Sequence, residues 1–196
     1  GVFLNSSAIV DSIRQAIDDG NIKGTEVAAA VSGHSVIVKK VSLPTMSREE
    51  LEDQIRWEAE QYIPFDVNEV NLDFQIMEST GAEGQMDVLL VAAKKDLIDD
   101  YVQVINEAGL IPATIDVAAF AVGNAFEANY DVRPDEVVAL VNIGAQVVNI
   151  NILSEGVPAF TRDITTAGNQ YTEEIQKALS VSFEEAERIK LGEADS

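Results

Sequence analysis

Residues 137–170 constrain this chain most. The run from Val137 to Val141 is apolar and rich in β-formers, and it breaks at Asn142 and Gly144. A second strand is expected from Val147 to Leu153 and a third from Pro158 to Ile164, joined by the turn Ser154-Glu155-Gly156. Thr165-Thr-Ala-Gly168-Asn169-Gln170 then opens onto a helix. Two glycine-bearing bends thus stand one β-meander apart, one in a hairpin and one at a helix start. Glycine lets backbone amides approach an anion, and a helix N-terminus favours negative charge. A polyphosphate needs such a pair of bends, provided that their free NH groups point into one cleft. An ordinary meander followed by a capped helix accounts for the spacing equally well.

The rest of the chain reads in order. Ser6 or Ser7 is expected to cap a helix bearing Ile9, Val10, Ile13 and Ile17, stopped by Gly20. Glu26 to Val31 reads as a buried strand of small residues. Val36 to Leu43 reads as a strand ended by Pro44. Ser47-Arg-Glu-Glu50 is a capping box, starting a helix with Leu51, Ile55, Ala59 and Tyr62 inward. Val70, Leu72, Phe74 and Ile76 alternate with polar residues, as in a strand covered on one face. After a turn over Ser79 to Gln85 come a buried strand (Met86 to Ala93), a helix capped by Asp96, and a short extended segment (Pro112 to Ile115). The order over residues 34–116 is βαββαβ, a split ferredoxin-like layout. An alanine-rich helix over Phe120 to Ala128 leads to the central stretch, and a second capping box, Ser182-Phe-Glu-Glu185, starts the last helix.

Charge excludes some functions. The formal net charge is −21, a sign that repels nucleic-acid phosphates and anionic lipid and attracts basic segments. Absence of cysteine removes disulfide and thiolate chemistry. The single histidine, His34, has no second ligand at metal spacing and reads as structural or solvated. No apolar run approaches the roughly 20 residues that span a bilayer.

Asn142, Gly144 and Ala145, followed by Gly168, Asn169 and Gln170, resemble the second phosphate loop of the actin-like ATPases. The match is nearest two bacterial branches, the FtsA division proteins and the PilM pilus-assembly proteins. Phe160-Thr-Arg-Asp-Ile164, Ile55-Arg-Trp-Glu-Ala-Glu-Gln-Tyr-Ile-Pro-Phe65 and Asn71-Leu-Asp-Phe-Gln75 look like the PilM branch. The resemblance implies an α/β fold, the actin-like (ribonuclease H-like) ATPase fold, present as a fragment with an inserted ferredoxin-like βαββαβ subdomain. It assigns residues 1–33 to part of the first lobe, 34–116 to the insertion, 117–136 to the first lobe and connecting helix, and 137–196 to part of the second lobe. The first phosphate hairpin would precede Gly1, and the adenosine-binding segment would follow Ser196.

The resemblance further implies a nucleotide site, ATP with Mg, contributed here by Asn142, Gly144, Ala145, Gln146, Gly168, Asn169 and Gln170. Glu187 and Lys190 would flank the base and ribose, although as an i, i+3 pair they also read as a surface ion pair. Asp116 matches the connecting-helix acid that orders water or Mg, and equally a helix N-cap. The usual aspartate of the hairpin is Asn142 here, and an amide is neither a general base nor an anionic handle for hydrated Mg. At most weak ATPase activity is therefore implied. The implied role is cytoplasmic: assembly of the type IV pilus platform at the inner membrane, by gripping the N-terminal peptide of the membrane protein PilN and contacting other pilus assembly proteins. An FtsA-like filament former, or a structural module without nucleotide, are the alternatives.

Overall fold

A strand of small residues and a distant partner organise the first half of the molecule. In the computed structural model, β1 (Glu26–Val31) pairs in parallel with β5 (Ile111–Val117). The structure describes residues 5–77, 84–131, 133 and 135–193. Residues 1–4, most of the turn expected at 79–85 and the residues from 194 lie outside these. The chain divides into two compact units, Gly1–Val117 and Ala118–Ser196.

In the first unit, α1 (Ser6–Asp19) is capped by Asn5, whose side chain accepts from the Ala8 amide at 3.1 Å, rather than by Ser6 or Ser7. Both serines fall within the first turn. Helix α3 (Lys95–Glu107) starts at Lys95 without a side-chain cap. Asp96 therefore sits in the first turn, where the helix dipole favours an acid, and does not cap. The Arg14 guanidinium of α1 donates to the carbonyl of Glu107 at the end of α3.

Between β1 and α3 lies an antiparallel sheet in the order β2-β4-β3, made of β2 (Val36–Pro44), β3 (Val70–Ile76) and β4 (Gln85–Lys94). Helix α2 (Arg48–Ala59) covers one face. Its capping box is reciprocal: Ser47 Oγ accepts from the Glu50 amide, and the Glu50 carboxylate accepts from the Ser47 amide. Leu51, Ile55 and Ala59 recur at helical spacing and are buried against Val41, Leu43, Val70, Val88 and Leu90. The βαββαβ order is present, but its last strand leaves for β1, so this sheet has three strands. On its other face Asp87, only 5% exposed, accepts from Ser42 Oγ at 2.7 Å and pairs with Lys40 at 2.9 Å. Those hydrogen bonds hold its carboxyl below the usual carboxylate range, that of Lys40 foremost.

The second unit holds α4 (Ala118–Asn129) and a meander of β6 (Val137–Ile143), β7 (Val148–Ser154) and β8 (Val157–Ile164). Glu155 and Gly156 both have positive φ, the two-residue turn whose twist suits adjoining strands. Asn149, Asn151 and Leu153 alternate along β7 and are buried, and Asn151 Nδ2 donates to the carbonyl of Ala119 on α4. Gly123 faces Asn151, and a Cβ there would lie 3.2 Å from its Nδ2. Helices α5 (Gly168–Leu179) and α6 (Phe183–Leu191) pack on each other. Ser182 caps α6 through the Glu185 amide, but the Glu185 carboxylate turns to Arg188 at 3.4 Å, so the expected second box is only half formed.

Candidate phosphate-loop site

The bend around Gly144 and the mouth of α5 meet. The Gly168 amide donates to the Gly144 carbonyl at 3.0 Å, and the Asn169 amide donates to the Ala145 carbonyl at 2.7 Å. The amides expected to face a ligand thus brace the hairpin turn. Gly144 donates its own amide to Val147 at 3.1 Å, and Gln170 donates to Ala167 at 3.0 Å. Among the described residues, the amides of Ala145 and Gln146 have no acceptor. These two are the donors that an anion at this turn would find. The residues fit a phosphate through the hairpin, with the helix mouth holding the hairpin's shape.

Both glycines are required by close approach. A Cβ on Gly144 would lie 2.8 Å from the Val147 carbonyl oxygen, and one on Gly168 would lie 3.2 Å from that of Gly144.

Asn142 belongs to a polar ladder across the meander. It stands opposite Asn149, which stands opposite Asp163. Asn142 Nδ2 donates to Asn149 Oδ1 at 3.1 Å, and Asn149 Nδ2 donates to Asp163 Oδ1 at 2.7 Å. An ionised Asp163 only accepts, so it fixes which way the Asn149 amide points and leaves an oxygen facing residue 142. A donor suits that place. An aspartate there would set acceptor against acceptor.

Glu187 and Lys190 converge on Thr172 of α5, which is fully buried. Lys190 Nζ lies 2.7 Å from the Glu187 carboxylate, 3.0 Å from Thr172 Oγ1 and 3.3 Å from the Gly168 carbonyl. Thr172 Oγ1 donates to the Glu187 carboxylate and lies 3.2 Å from the Gly168 carbonyl. The pair therefore ties α6 to the first turn of α5, beside the hairpin. Nothing in the spacing around Thr172 marked it beforehand, because its partners are remote in sequence. Asp116 is the last residue but one of β5, in the first unit, and its carboxylate accepts from the Val117 amide at 2.7 Å. His34 is exposed in a turn.

Hydrogen bonds from Lys190, and then from Thr172, hold the Glu187 carboxyl below its ordinary value. A depressed folded-state value stabilises above the ordinary carboxylate range, and that stability is lost as pH falls through the folded value. Glu187→Gln should therefore weaken the fold at neutral pH, and its deficit against the parent should shrink in acid. Urea unfolding at about pH 7 and about pH 3 checks this; a deficit that is constant with pH would assign the loss to packing.

A sequence profile for the type IV pilus assembly protein PilM matches residues 2–194. The chain belongs to the PilM family. Among solved structures, it is similar to a PilM–PilN type IV pilus biogenesis complex, with 30% identity and a TM-score of 0.87 over 97% of this chain and 57% of that one. It thus spans little more than half the length of that relative. The cytoplasmic domain of EpsL, an inner-membrane component of the Vibrio cholerae type II secretion system, shares the fold at 12% identity and a TM-score of 0.54, over 89% of this chain and 61% of that one. EutJ, an ethanolamine utilization protein from Carboxydothermus hydrogenoformans, does so at 16% identity and a TM-score of 0.51, over 97% of this chain and 47% of that one. The fold is α/β, that of the actin-like ATPases, as the residues around Gly144 and Gly168 implied.

Proposed function

We propose that this chain is the peptide-gripping and nucleotide-binding part of a type IV pilus platform protein, and that it docks at the inner membrane by holding the cytoplasmic N-terminal peptide of PilN. The observation that carries this reading is the likeness to the PilM–PilN complex over 97% of the chain. The acidic balance, −21, suits a partner segment with basic residues. No described helix is long and apolar enough to cross a membrane, consistent with attachment through a partner.

In this reading the Ala145 and Gln146 amides meet the phosphates of ATP, while Gly168 and Asn169 hold the turn in place. Bound Mg would neutralise phosphate charge. Asn142, donating to Asn149, takes no proton from water, so binding without efficient hydrolysis is the expected behaviour. Calorimetric titration of the folded protein with a synthetic PilN N-terminal peptide is the test. Saturable binding is expected; a folded protein that takes up none of the peptide would end the proposal.

A further inference from the structure

The segment from Ser35 to Lys94 carries four aromatic side chains, and three already have a cation over the ring. Lys39 Nζ lies 5.2 Å from the Tyr62 ring centre, Arg48 lies 5.1 Å from that of Phe74, and Lys94 Nζ lies 4.7 Å from that of Phe65. The fourth is Trp57, the only tryptophan of the chain. It is 65% exposed on α2 and has no ring or cation partner among the described residues. Indole is the ring that binds cations best, so the strongest ring is the bare one.

Its surroundings are acidic on balance, although the exposed Arg56 is its neighbour in sequence. Asp53 precedes it by four positions and Glu60 follows by three, and residues at those spacings are neighbours on a helix surface. Both are exposed, and neither carboxylate makes an ion pair or a side-chain hydrogen bond among the described residues. Arg48, by contrast, is bonded to Glu52 at 3.0 Å. An exposed indole between two unpaired carboxylates matches a guanidinium, which stacks flat on a ring while its NH groups reach carboxylate oxygens. Lysine offers a point charge and no stacking plane.

We propose that the outer face of α2, centred on Trp57 with Asp53 and with Glu60 at the helix end, docks an arginine-bearing segment of another protein. The inference does not depend on where or whether a PilN peptide binds. Because Trp57 is the sole tryptophan, its emission reports on this face alone.

The test uses the whole chain and a fluorescein-labelled peptide of alternating arginine and serine, followed by anisotropy and by Trp57 emission. Binding should shift that emission. Trp57→Ala and the double change Asp53→Asn with Glu60→Gln should each weaken binding by roughly fivefold. Asp96→Asn with Asp99→Asn removes equal charge from exposed positions on α3 and should change affinity by less than about twofold. A lysine–serine peptide should bind several-fold more weakly. All three positions, two on α2 and Glu60 at its C-terminal end, are exposed, so circular dichroism should show each variant folded. Equal losses from the α2 and α3 variants would mean attraction to overall charge and overturn the proposal, as would undiminished binding by Trp57→Ala.

Discussion

Leu51→Ala should cost the fold about 3–4 kcal/mol. Leu51 is fully buried at the first inward position of α2, packed in the cluster with Val41, Leu43, Ile55, Val70, Val88 and Leu90. Truncation removes the transfer energy of the lost methyl groups and leaves a cavity, because strands on one side and a capped helix on the other cannot close over it. Urea unfolding followed by Trp57 emission measures the loss, since the indole is carried by the same helix. A loss under about 1 kcal/mol would mean that α2 is not seated on the sheet as described.

Gly144→Ala should cost about 1–3 kcal/mol, as overpacking of a closed turn does. The new methyl would lie 2.8 Å from the Val147 carbonyl, a backbone atom that moves only with the turn. That turn also receives the Gly168 and Asn169 amides, so faster hydrogen exchange at those two amides should accompany the loss. Gly24→Ala is the matched control: its added Cβ meets nothing within 4 Å, and little change is expected. If both substitutions behave alike, close packing at the hairpin is not what fixes glycine at 144.

Local elements were legible because their causes are local. The inward positions 51, 55 and 59 follow from helical spacing, and the alternation at 70, 72, 74 and 76 follows from strand pleat. The bends at 144 and 168 were marked by glycine. What sequence could not supply was the destination of donors and edges. The short segment at 111–117 could join the preceding sheet or a distant strand, and only packing sends it to β1, some eighty positions back. Likewise the amides of Gly168 and Asn169 look free in any sequence reading. They are occupied because a turn that begins 24 residues earlier presents two carbonyls to them. The cap of α1 fell on Asn5 rather than on either serine for a simpler reason: all three residue types cap well, and spacing alone does not rank them.

The three-stranded sheet of the first unit has its two ends side by side. Val36 stands opposite Ala93, and the Lys94 amide donates to the Ser35 carbonyl at 3.0 Å. The chain therefore leaves its scaffold and returns to it at one point. A piece joined in that way can grow, shrink or be exchanged between relatives while the β1–β5 pairing keeps its register, because the gap to be bridged never changes. Evolution can thus rework this appendage, with its uncovered indole, without having to redesign the scaffold that carries it.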